Sequence, residues 1–217
     1  MKYSYIIIGI TLSIILFSCS SNNAADSNEK DVNDDVKVSY IHQDDQTFDA
    51  IKKQGAIIAK QTQVELGTAL KNAILKGGHE YAVNFCNLEA LTITDSMATN
   101  KDVIIRRLAK KNRNPENAMD EVESKIFKQY VMEYLQAKPM KPRIAINGEG
   151  HPVYYKPIIT NDMCLSCHGK PGETMSTGLA EKIKEQYPDD KAINFDSGHP
   201  RGMWAITFTK LNINPNK

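Results

Sequence analysis

The chain has 217 residues, 41% of them hydrophobic and 24% charged, which allows one compact domain of roughly 150–200 residues with appendages and excludes two large ones. Its 27 Lys and Arg balance 26 Asp and Glu, so nothing in the overall field favours nucleic acid as a partner. Any electrostatic specificity is local.

At the amino terminus Lys2 precedes an apolar run from Ile6 to Phe17, interrupted only by Gly9, Thr11 and Ser13. A run shorter than the roughly 20 residues of a membrane span reads as an export signal. It ends in Leu16-Phe17-Ser18-Cys19, which resembles a bacterial lipobox. In signals of that kind the Cys is lipidated and becomes the first mature residue, so residues 1–18 are expected to be removed and Cys19 to be the lipid anchor. Ser20 to about Gln46 is polar and acidic and cannot bury enough apolar surface to order itself. Residues 19–45 are therefore expected to be a flexible tether with an r.m.s. span of roughly 25–30 Å. Residues 46–210 are expected to form the folded domain and 211–217 a short tail.

From Phe48 the apolar positions Ile51, Ile57, Ile58, Leu66, Ala69, Leu70, Ala73 and Ile74 recur at helical steps, predicting an amphipathic helix that Gly77-Gly78 interrupts. Tyr81, Ala82, Phe85, Leu88, Ala90 and Leu91 predict a second helix with Cys86 on or beside its apolar face. Val103 to Lys111 reads as a strand. Asn114-Pro115 reads as a helix start, and Val122, Ile126, Phe127, Tyr130, Val131 and Tyr134 carry that helix to about Ala137, before Pro139 and Pro142. Arg143 to Ile146 and Pro152 to Ile159 are strand-like runs joined by Asn147-Gly148-Glu149-Gly150, a hairpin signal. Near the end, Trp204, Ile206 and Phe208 alternate with Ala205, Thr207 and Thr209. Helices first and antiparallel strands last define an α+β order.

The chemistry lies in Met163-Cys164-Leu165-Ser166-Cys167-His168-Gly169. Its C-x-x-C-H pattern reads as c-type haem attachment: two thiols on one turn add across the haem vinyl groups, and the following imidazole meets the iron. Other uses of the pattern lack support. A thioredoxin-like site needs a βαβ alternation that is not visible, a structural disulfide has no need of His168, and zinc needs two further ligands with no second C-x-x-C to supply them. One covalent haem c, bound by Cys164 and Cys167 and ligated by His168, is the expectation. The second axial ligand is open among Cys86, His79, His151, His199, Met97, Met163, Met175 and Met203; composition favours Met or His.

Five further segments occur in one order: Tyr81-Ala82-Val83-Asn84-Phe85-Cys86-Asn87-Leu88, Arg113-Asn114-Pro115-Glu116-Asn117, Pro157-Ile158 before the cysteine motif, Tyr187-Pro188-Asp189-Asp190-Lys191-Ala192, and Arg201-Gly202. With the cysteine motif they resemble the Tll-type haem c domain over roughly residues 48–209. The resemblance implies a PAS-like fold with extra helices and a haem iron ligated by His168 and by the Cys of the helical motif, here Cys86. Deprotonated thiolate donates strongly to iron, so such a pair favours ferric haem and lowers the potential relative to Met/His. Within the basic run Arg106, Arg107, Lys110, Lys111 and Arg113, Arg113 is the expected bidentate partner of a haem propionate.

With both axial positions filled by the protein no coordination site is left for a substrate, so the expectation is a membrane-tethered electron carrier or redox mediator and not an enzyme. The alternative is a haem-based redox or gas sensor acting through a separate transmitter. Only Lys210 to Lys217 follow the last strand, which places electron transfer ahead. The expected partners are a redox protein or transmitter and, through the lipid, the periplasmic or cell-surface side of a bacterial membrane.

Overall fold

In the structure, a computed structural model, residues 37–41, 46–99 and 101–213 are described, without the side chains of residues 46 and 86–91. Cys19, the signal segment and most of the expected tether lie outside the described residues, as does the Cys86 side chain. Five strands, β1 (Ser39–Tyr40), β2 (Val103–Leu108), β3 (Arg143–Ile146), β4 (Pro152–Ile159) and β5 (Pro200–Phe208), form one sheet in the order β1-β3-β4-β5-β2. Every neighbouring pair is antiparallel. The helices are α1 (Gln46–Ala98), α2 (Glu121–Leu135), α3 (Asp162–His168) and α4 (Thr177–Gln186). This is the expected α+β class.

Alternation along the strands sends side chains into two cores. Val103, Ile105, Ile144, Tyr154, Trp204 and Ile206 pack with Phe48, Ile51, Ile58 and Ala59 of α1. Val153, Tyr155, Ala145, Met203 and Ala205 pack with Ile126, Phe127 and Tyr130 of α2. The sheet is thus covered on both faces, which is why both members of the alternation in β5 are buried. Helix α1 lies close on β4. A Cβ at Gly55 would stand 2.3 Å from the Tyr154 ring, so glycine sets that approach, and burial pushes the Tyr154 hydroxyl up to about 12. Ile57, expected on the apolar face of α1, is 44% exposed.

The expected break in α1 is present. Gly77 has φ −155°, ψ 23° and Gly78 has φ 73°, ψ −171°, the latter in a region that is essentially restricted to glycine. The hairpin turn between β3 and β4 is also present, with Gly150 at φ 84° and the Asn147 side chain accepting from the amides of Glu149 and His151.

Three boundaries differ from expectation. The expected tether contributes an edge strand: Ser39 and Tyr40 pair with Ile146 and Ala145, the Tyr40 hydroxyl donates to Gln129 at 2.9 Å, and Ile41 is buried. Asn114-Pro115 opens only a 3-10 turn, Pro115–Asn117. Helix α2 starts later, at a capping box in which the Asp120 carboxylate accepts from the Glu123 amide and the Glu123 carboxylate accepts from the Asp120 amide. It stops at Leu135, before the prolines, because Ala137 turns left-handed at φ 51°. Helix α4, capped by Ser176, had no sequence expectation.

Candidate functional site

The cysteine motif forms α3, seven residues long, started by Asn161, whose side chain accepts from the Cys164 amide. The helix ends at Gly169, where a Cβ would lie 1.9 Å from Thr174 Oγ1 and 2.5 Å from the Leu165 carbonyl. Only a residue without a side chain permits that turn, which sets where His168 ends. On one turn of α3 stand Cys164 and Cys167, neither of them in a disulfide. The Cys164 thiol lies 3.2 Å from Asn161 Oδ1.

Both thiols and His168 line a cavity of about 250 Å³. Leu70 and Ile74 come from the first arm of α1, His79, Ala82 and Val83 from the arm beyond the glycine break, and Ile158 and Ile159 from β4. The walls are mostly apolar, as ligand sites are. Arg107, Arg113 and Arg201 are the cations among the lining residues, and no carboxylate joins them among the described residues.

His168 is held from behind. Its Nδ1 lies 2.8 Å from the Ala192 carbonyl, and since a carbonyl only accepts, Nδ1 carries the proton and Nε2 keeps its lone pair. Burial first, then the Arg201 and Arg113 guanidinium charges, hold the imidazole well below its ordinary pKa. It is therefore neutral at pH 7, the form that binds a metal ion. The Ala192 carbonyl is itself placed by Asp190, whose Oδ1 accepts from the Ala192 amide at 2.8 Å. Arg113 donates to Asp190 Oδ2 through Nε at 3.2 Å and Nη2 at 3.0 Å, and to the Cys167 carbonyl at 2.7 Å. One guanidinium thus ties the end of α3 to the segment that orients His168. The Phe195 amide adds a bond to the His168 carbonyl at 3.0 Å.

Arg113 therefore lines the cavity as expected, but its hydrogen bonds go to Asp190, Cys167 and Ala192. It is a positioning residue in this structure. Of the other axial candidates, His79 and Met163 line the cavity. Met175 is buried against α4 and Met203 under α2, while Met97 packs on the α1 side of the sheet. His151 Nδ1 is 2.7 Å from the Leu211 carbonyl, and His199 Nδ1 accepts from the Asp196 amide. Asp190 and Arg201 were missed as single functional residues, although both fall in the segments that carried the family resemblance.

Two thiols and a neutral imidazole on one short helix, facing an apolar cavity edged by guanidinium groups, mark the candidate ligand site of this α+β domain. The profile of the Tll0287-like family matches residues 20–209, and the chain belongs to that family. The crystal structure of the cyanobacterial heme-protein Tll0287 matches with a TM-score of 0.53 and 21% identity over 75% of this chain and 98% of that one. That likeness shows the same fold. No curated protein sequence matches.

The buried Arg113–Asp190 pair, with side chains 13% and 3% exposed, generates a prediction. Asp190→Ala leaves a guanidinium unpaired and should lower stability by about 3–5 kcal/mol, whereas an exposed control, Glu185→Ala, should cost less than about 1 kcal/mol. Urea unfolding of both variants measures the difference; equal midpoints would refute the role given to the pair.

Proposed function

We propose that the cavity holds one haem c, joined through thioethers to Cys164 and Cys167 and ligated by His168 Nε2, and that the protein transfers electrons. The placement of both thiols and a neutral, rear-anchored imidazole on a single cavity wall carries this reading. The donor set fits the group. Thiols suit vinyl addition, an imidazole with its Nδ1–H engaged is a fixed and more basic iron ligand, and apolar walls match the macrocycle. Bound there, haem would supply a one-electron couple.

Cys86 is proposed as the second axial ligand. In helical spacing residue 86 follows Ala82 and Val83 by four and three residues, so it shares the face on which those two line the cavity. The chain's own residues do the rest: Leu70, Ile74, Ala82 and Val83 exclude water, and Arg113 and Asp190 fix the imidazole. With both axial positions taken, the reading is electron transfer without substrate turnover. Sensing is the second reading, favoured by the Gly77-Gly78 break that divides the two cavity-lining arms of α1 and allows them a change of angle.

The domain is further proposed to be held at the outer side of a bacterial membrane by lipid on Cys19. The anchor rests on the Leu16-Phe17-Ser18-Cys19 pattern; among the described residues no helix is long and apolar enough to cross a membrane.

The full chain, expressed with c-haem maturation, should retain haem through denaturing electrophoresis and lose it when Cys164 and Cys167 are both changed to Ala. Haem that leaves the wild-type chain on acid extraction would refute covalent attachment. Cys86→Ala should alter the ferric absorption spectrum and raise the potential, and an unchanged spectrum would move the ligand to His79 or Met163. Incorporation of a fatty-acid analogue should require Cys19; a labelled Cys19→Ala chain would contradict the anchor.

A further inference from the structure

The register of β4 against β5 contains one irregularity. Ile158 pairs with Gly202 and Ile159 with Pro200, so Arg201 is an extra residue on its strand. In a regular strand Arg201 would share the face of Met203 and Ala205, beneath α2. An extra residue re-aims a side chain, and here the Arg201 guanidinium lines the cavity. Gly202 makes the bend possible, since a Cβ there would stand 2.2 Å from the Leu108 carbonyl.

The guanidinium is poorly satisfied where it arrives. Nη1 donates to the Lys111 carbonyl at 2.8 Å, and the group sits 5.1 Å from the centre of the Phe195 ring. Nε is buried with no hydrogen-bond partner. Its neighbours are cations: burial, then Arg107 and Arg113, push its pKa down to about 9. Asp190, the acid that offsets this, already takes both Arg113 hydrogen bonds on one oxygen. A partly buried charge with an unmet, buried Nε donor is costly unless something pairs with it, and among the described residues the cavity lining offers no carboxylate.

We propose that the bulge-borne Arg201, beside Arg107, is the carboxylate-binding end of the cavity and pairs with a propionate of the bound haem. This rests on the haem reading above and moves the propionate contact from Arg113, whose Nε and Nη2 are committed to Asp190, Cys167 and Ala192, to Arg201. A guanidinium fork matches a carboxylate in a way a single ammonium does not. Its positive charge also favours the form of the haem that carries the additional electron.

The test uses the full chain matured with haem, as wild type, Arg201→Met and Arg201→Lys, with the reduction potential and the propionate bending band in the resonance Raman spectrum as readouts. R201M should have a lower potential and a shifted propionate band, and R201K should recover the potential while keeping a shifted band. Potential and band both unchanged in R201M would overturn the assignment while leaving the haem reading intact. Should R201M fail to accumulate, the band of R201K decides: a shift supports the contact and an unchanged band overturns it. A wild-type chain that carries no haem would overturn the underlying reading and this assignment with it.

Discussion

The hydrogen bonds running from Arg113 through Asp190 and the Ala192 amide and carbonyl to His168 Nδ1 set the state of the whole site. They do three things at once. They choose the tautomer, leaving Nε2 with its lone pair; they fix the ring plane; and, through the Arg113 bond to the Cys167 carbonyl, they hold the helix that carries both thiols. Each ion in the pair is nearly removed from water, so its value lies in the geometry it enforces as much as in stability, because a buried pair repays its desolvation only when every donor and acceptor is met.

The fold supplies the space into which that imidazole and the two thiols face. A sheet covered on one side by α1 and on the other by α2 leaves no room at its centre, and the cavity forms at the strand ends, where α1 has passed its sheet-packing residues. Leu70 and Ile74 then meet the cavity in place of the sheet, and the Gly77-Gly78 break brings the following arm in with His79, Ala82 and Val83. On the other side α4 closes the site, with Leu179, Ile183 and Met175 packed against Val83 and Cys167. Mostly apolar side chains thus line the cavity, and among the described lining residues charge enters through three arginines.

Much of this was legible in the chain, and what was not has identifiable causes. C-x-x-C-H marks its chemistry in five consecutive residues, and the glycine pair, the β3–β4 hairpin and the alternation of β5 are local signals that tertiary structure left in force. Edge strand β1 was not legible because Ser39 and Tyr40 are held by pairing with β3, over a hundred residues later, inside a segment whose composition resembles a tether. Asn114-Pro115 competed with the Asp120 capping box for the start of α2, and the box, with two reciprocal bonds, prevailed. Arg113 was recognisable as a site residue, but its partner Asp190 is 77 positions away, and no pattern in the chain links them. Arg201 depends on a bulge, which is a property of strand register and leaves no trace in a single sequence.

The protein is a member of the Tll0287-like family, and the proposed occupant of its cavity is a closed, redox-active iron centre with one imidazole ligand. Pulsed EPR of the ferric, haem-matured protein labelled with ¹⁵N-histidine tests this most directly. A low-spin signal with strong coupling to the nitrogen of a single imidazole, and g-values of a thiolate-ligated haem, is the predicted result. Coupling to no imidazole, or to two, would contradict it.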